Sequence, residues 1–207
     1  MPNLWEKYAV PRLIRFACSQ PAVMKDRSKI VPRADGAVLE LGCGGGINLQ
    51  FYDRSRVTSL TGLDPSAELL DYTRREASER GFAMEIVDGI GEAMPFADAS
   101  FDTVLTTFTL CSVQDGAQVL SEMRRVLKPG GKILFLEHGR APDKGPEKWQ
   151  QRIEPVWKYI AGGCHLHRPV SQLFEAGGFA LADSHGHYAP KTPRWLGWME
   201  SGEARPL

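Results

Sequence analysis

Little in this chain points to a disulfide scaffold, a membrane span or a polyanionic partner. Its four cysteines, Cys18, Cys43, Cys111 and Cys164, are scattered and form no Cys-x-x-Cys pair. That argues against a disulfide framework and fits a reducing, cytoplasmic compartment. The longest apolar runs are strand-length, short of the roughly 18–20 residues that cross a bilayer, so no transmembrane segment is expected. Lys+Arg and Asp+Glu both total 25, a formal net charge of zero, which leaves no electrostatic case for nucleic acid as the main partner. The opening Met1-Pro2-Asn3-Leu4-Trp5-Glu6-Lys7 lacks the basic-then-apolar layout of a secretory signal.

The composition is that of a globular domain, with 43% hydrophobic and 24% charged residues over 207 positions. That length suits a single domain, and no repeat, low-complexity tract or linker divides it. Residues 1–34 read as helical pieces broken at Pro11, Pro21 and Pro32, able to act as a lid. Apolar runs at Ala37–Leu41, Val57–Leu63, Ala83–Val87, Phe101–Thr106 and Lys132–Glu137 read as strands. Helices are expected at Gly46–Tyr52, after Pro65 up to Arg80, and at Asp115–Leu127, the last ended by a sharp Pro129-Gly130-Gly131 turn. This alternation predicts an α/β core over residues 35–140, a parallel sheet with helices on both faces. Residues 141–207 follow with helices near 146–162 and 169–176 and an antiparallel pair near Phe179–Tyr188 and Trp195–Ala204.

The most informative segment is Glu40-Leu41-Gly42-Cys43-Gly44-Gly45-Gly46, placed directly after a strand. Gly42, Gly44 and Gly46 let the backbone turn tightly and approach a ligand. Asp64 stands eighteen positions after Gly46, at the end of the next strand, where an acid accepts hydrogen bonds from ribose hydroxyls. The pairing reads as a site for an adenosine-containing cofactor. A dinucleotide fingerprint beginning at Gly42 requires glycine at 47, where Ile47 stands, and no Gly-Lys-Ser/Thr of a P-loop follows.

The remaining pattern, Glu-x-Gly-x-Gly-x-Gly, resembles motif I of class I S-adenosylmethionine-dependent methyltransferases. Glu92-Ala93-Met94-Pro95-Phe96 through Phe101-Asp102, and Met123 to Gly131, are similar to the ubiquinone-biosynthesis type within that superfamily. Thr109-Leu110-Cys111-Ser112-Val113, Glu137-His138, Pro155-Val156-Trp157 and Gly163-Cys164-His165-Leu166 resemble the methyltransferase-like 7 family, whose members methylate thiols. Those animal proteins begin with a hydrophobic anchor, whereas this chain begins with a broken amphipathic helix.

The resemblance implies a Rossmann-like, seven-stranded mixed sheet, mostly parallel with the last strand antiparallel. It implies S-adenosylmethionine as methyl donor, S-adenosylhomocysteine as product and a small-molecule acceptor, a thiol or other sulfur nucleophile. Carbon or oxygen methylation of a quinone-like or phenolic acceptor, phospholipid N-methylation, and a cofactor sensor without turnover stand as alternatives. Glu40 would face the cationic end of the cofactor, and Asp64-Pro65 the ribose. Gly91 and Glu92 would flank the adenine, and Thr106 and Thr107 the methionine part.

Ligands in an open α/β sheet lie beyond the carboxyl ends of the strands, which makes His138, closing the fifth strand, a candidate to accept or orient the acceptor's proton. Cys111 borders the same region, as a methyl-accepting nucleophile or a small buried hydrophobe. Tyr8, Trp149, Cys164 and His165 are candidate walls of the acceptor pocket. Cys164-His165-Leu166-His167 lacks a second Cys/His pair nearby in the chain, so no metal is expected.

Overall fold

The apolar runs assemble into one seven-stranded sheet, which a computed structural model describes over residues 9–207. The strands are β1 (Gly36–Leu41), β2 (Val57–Asp64), β3 (Glu85–Asp88), β4 (Phe101–Thr107), β5 (Leu127–His138), β6 (Phe179–Tyr188) and β7 (Trp198–Pro206). Their spatial order is β3-β2-β1-β4-β5-β7-β6. The first five pair in parallel, and β7 runs antiparallel between β5 and β6, as the sequence led us to expect. The chain leaves β1 toward β2 on one side and returns to β4 on the other. The carboxyl end of β1 therefore lies at the topological switch point, where such sheets bind ligands.

Consecutive strand residues are buried on both faces, the mark of a covered parallel sheet. Leu39, Val104, Ile133 and Phe135 point into one core, and Val38, Leu105, Leu134 and Leu136 into the other. The first core is closed by α4 (Gly116–Val126) and α6 (Val170–Ala176), through Val119, Leu120, Met123, Val170 and Phe174. The second is closed by α2 (Pro21–Ile30), through Ile30, and by Leu49 and Tyr52 of the segment after β1. Among the other helices, α3 (Ala67–Glu79) begins at a Ser66 cap, α1 spans Val10–Cys18 and α5 spans Lys144–Ile160. No described helix is long and apolar enough to cross a membrane.

Three sequence expectations give way to the fold. The helix expected over Gly46–Tyr52 is one 3-10 turn, Ile47–Gln50. Asn48 and Tyr52 turn their polar groups inward to Glu40, and that pull replaces continued helical winding. The expected Pro129-Gly130-Gly131 turn is instead a wide bulge inside β5. Leu127 pairs with Phe101 and Lys132 with Thr103, and the residues between loop out. The last strand runs Trp198–Pro206, because Trp195 belongs to a turn and stacks edge-on against Trp157 at 6.0 Å.

Phe174 holds α6 to the sheet between Phe135 and Phe179, at ring separations of 4.8 and 6.0 Å. Phe174→Ala is expected to lower stability by about 3–5 kcal/mol through the lost transfer energy and the cavity left behind. Phe16→Ala, at a position 69% exposed, should change it by less than about 0.5 kcal/mol. Urea unfolding of both variants checks the difference.

Candidate cofactor and acceptor site

The glycine loop is shaped by its backbone. Gly42, Gly44 and Gly46 have φ of 69°, 53° and 73°, the left-handed region that side chains rarely adopt. A Cβ on Gly42 would stand 2.0 Å from Thr109 Oγ1, so the loop and the segment after β4 touch in a way only glycine permits. The amides of Gly42 and Cys43 both donate to the Leu63 carbonyl, at 2.8 and 3.2 Å. Asp64 completes the cradle: its Oδ2 accepts from the Gly44 amide and its Oδ1 from the Ser66 amide, both at 2.9 Å. Each oxygen retains a free lone pair for a further donor.

Beneath the loop lies a buried polar network. Glu40, 1% exposed, accepts from Asn48 Nδ2 and from the Tyr52 hydroxyl, each at 2.8 Å. Arg27 on α2 donates through Nη1 to Asn48 Oδ1 at 2.6 Å and to Thr107 Oγ1 at 2.7 Å. Its guanidinium lies 5.2 Å from the centre of the Phe108 ring. Arg27 is itself buried, and its Nε has no hydrogen-bond partner among the described residues.

These groups open onto a cavity of about 850 Å3, room for a nucleoside-sized ligand together with a small second molecule. It is lined by Asp64, Pro65, Gly89, Gly91 and Glu92, by Val10, Ile14 and Cys18 of α1, and by Tyr159, Gly162 and Gly163 at and after the end of α5. Arg27, Glu40 and Thr107 lie on the wall between the loops.

A family model for the methyltransferase domain matches residues 39–135. Demethylmenaquinone methyltransferase of Thermus thermophilus is 32% identical over 151 residues, covering 70% of this chain and 68% of that protein. The chain belongs to the class I S-adenosylmethionine-dependent methyltransferase family. Human thiol S-methyltransferase TMT1B is 43% identical over 165 residues, 77% of this chain and 66% of that protein. The chain thus spans just under two thirds of that relative's length. A solved S-adenosylmethionine-dependent methyltransferase of Thermotoga maritima superposes with a TM-score of 0.71 at 17% identity, covering 98% of each chain.

Within this methyltransferase site, Gly42, Gly44, Asp64, Pro65, Gly91, Glu92 and Thr107 line the cavity. Glu40 also lines it, its two carboxylate oxygens each accepting one hydrogen bond, from Asn48 and from Tyr52, which fixes the floor under the glycines. Gly46 sits behind the loop against Leu49 and Glu76. Thr106 faces away and donates to Glu137 Oε1 at 2.8 Å. Glu137 also accepts from the Thr109 amide at 3.1 Å, so this buried acid pins the segment after β4. That segment reverses at Phe108, whose φ of 57° marks local strain.

On the acceptor side, His165 lines the cavity, with Nδ1 3.1 Å from Glu154. Trp149, expected as a wall, is 55% exposed with Arg152 stacked over it, and lies outside the cavity lining. Helical spacing placed it on the solvent face of α5. Tyr8 and Trp5 lie outside the described residues. His138, Cys111 and Cys164 form a group behind the wall, with all their ligand atoms within 4.8 Å of one another. The Cys111 thiol is pushed well up by its hydrogen bond to Cys164 and by burial, while that same bond draws Cys164 down.

Sequence reasoning missed Arg27 and the convergence of these three residues. Arg27 reads as an ordinary surface position on a polar helix, and only its three-dimensional partners distinguish it.

Burial pushes the Glu40 carboxyl from its ordinary 4.5 up to about 7, against the pull of the Tyr52 and Asn48 hydrogen bonds and of Arg27. The folded chain holds this proton more tightly than the unfolded chain. Its stabilisation is complete below the unfolded value and is lost as pH rises through about 7. The ligand-free protein should therefore lose up to about 3 kcal/mol of stability across that window. Glu40→Gln should flatten the dependence, as urea unfolding between about pH 5 and 8 would reveal.

Proposed function

We propose that this chain transfers the methyl group of S-adenosylmethionine to a small thiol. The observation that carries the acceptor is the 43% identity to human thiol S-methyltransferase TMT1B, extending over 165 residues. That is well beyond residues 39–135, the part common to methyltransferase domains at large, and takes in sequence on the acceptor side.

The residues present fit the cofactor. Asp64, tied by two backbone amides, keeps lone pairs for ribose hydroxyls. The glycine loop lets the methionine part approach the backbone. Arg27, a buried cation lining the cavity, supplies a charge complementary to a carboxylate. Gly89 and Gly91 line the cavity where the adenine would lie.

When bound, S-adenosylmethionine supplies a methyl group already activated by its sulfonium. The protein's part is alignment and exclusion of water. Val10, Ile14 and Tyr159 contribute apolar lining that suits a small alkyl thiol. A thiol of pKa about 8.5 is partly ionised near neutrality, so its proton can leave to water without a strong base. That agrees with the position of His138, which is buried and outside the cavity lining.

Calorimetry should show S-adenosylhomocysteine binding the wild-type protein, and at least about tenfold weaker binding to Asp64→Ala. Labelled S-adenosylmethionine offered with thiols, phenols and amines should yield the S-methylated thiol. Transfer to a phenol or quinol alone would favour the chemistry named for the Thermus relative. Tight binding with transfer to none of them would favour a sensor.

A further inference from the structure

Three groups that the methyl-transfer reading leaves unused meet behind the cavity wall. Cys111 comes from the segment after β4, His138 from the end of β5 and Cys164 from the loop after α5. The two sulfurs and a ring nitrogen of His138 all lie within 4.8 Å of one another, with Cys164 Sγ 3.9 Å from His138 Nδ1. His138 is 5% exposed, and its Nε2 has no hydrogen-bond partner among the described residues.

The backbone holds the three in place. The His165 amide donates to the Cys111 carbonyl at 2.7 Å, locking the two cysteine-bearing segments together. Arg168 Nη1 donates to the Leu110 carbonyl at 2.5 Å, and Glu137 fixes the Thr109 amide. His138 is registered against Met199 across β5 and β7.

We propose that Cys111, His138 and Cys164 form a binding site for a soft divalent cation, with zinc as the fitting ion. Two thiolates and an imidazole are the donors zinc prefers, and hard ions such as magnesium avoid them. Zinc bonds of about 2.3 Å to sulfur and 2.0–2.1 Å to nitrogen put tetrahedral ligands roughly 3.5–3.8 Å apart. The 3.9 Å between Cys164 Sγ and His138 Nδ1 exceeds the sulfur–nitrogen end of that range by about 0.4 Å, a gap that side-chain rotation can close. Binding displaces the thiol protons to solvent as the two sulfurs become ligands.

Three protein ligands leave one position open. Cys18 lies on the cavity wall within electrostatic reach of both thiols, which marks the cavity side of the group. The expectation of no metal rested on the neighbours of Cys164 in sequence, whereas the fold supplies its partners from two other elements. The site stands whichever acceptor the enzyme uses.

The test is a zinc titration of the reduced, chelator-stripped protein against a chromophoric competitor. One zinc per chain is expected, with at least tenfold weaker binding in Cys111→Ser, Cys164→Ser and His138→Gln. His185→Ala, at a position outside the group, should bind as the wild type does. Cobalt in place of zinc should give a sulfur-to-metal charge-transfer band that weakens in each single serine variant and disappears in the Cys111→Ser/Cys164→Ser double variant, with circular dichroism confirming that each variant is folded. Zinc binding retained in the Cys111→Ser/Cys164→Ser double variant, absence of zinc binding by the wild type, or a Cys111–Cys164 disulfide in place of free thiols would each overturn the proposal.

Discussion

A carboxyl group placed under the glycine loop organises this protein. Glu40 is removed from water, and both of its oxygens are answered, by Asn48 and by Tyr52. A buried polar group with a missing partner costs about 1–3 kcal/mol or more, so each partner must arrive correctly. Asn48 does so only if the chain after Gly46 forms a short 3-10 turn. It then passes the constraint to Thr107 and Arg27. One acid thereby couples β1, β4, α2 and the cofactor loop. Satisfied networks of this kind rigidify a site, and here the rigid part is the floor of the cavity.

Glu137 performs a parallel task one strand away. It is completely buried and ties Thr106 and the Thr109 amide to the end of β5. The segment it anchors touches Gly42 on one side and carries Cys111 on the other. The two acids therefore fix the glycine loop and the segment after β4 relative to each other. Asp64 has a different position: its oxygens hold backbone amides yet remain on the cavity wall. This division explains why three carboxylates at strand ends, alike in sequence, have distinct roles.

The sheet and its order were legible because apolar runs of strand length alternate with helical periodicity, a signal that tertiary contacts reinforce. The glycines and Asp64 were legible because their roles depend on local backbone geometry and on a fixed distance along the chain. What escaped was set by long-range partners. Asn48 and Tyr52 turned an expected helix into a 3-10 turn, an effect that no local propensity encodes. Trp149 had the composition of a pocket wall but the phase of a solvent face. Cys111, His138 and Cys164 are individually unremarkable, and their meeting depends on the register of β5 with β7 and on the hydrogen bond from His165 to Cys111.

In the proposed complex one cavity holds the donor at the glycine loop and points its sulfur toward Val10, Ile14 and Tyr159. A crystal structure with S-adenosylhomocysteine tests this most directly. The expected complex has ribose hydroxyls on Asp64, adenine between Pro65 and Gly91, and the thioether sulfur facing Val10, Ile14 and Tyr159, with an unfilled acceptor space beyond it. A sulfur directed instead toward Glu92 and Asp115, with the ribose away from Asp64, would contradict it.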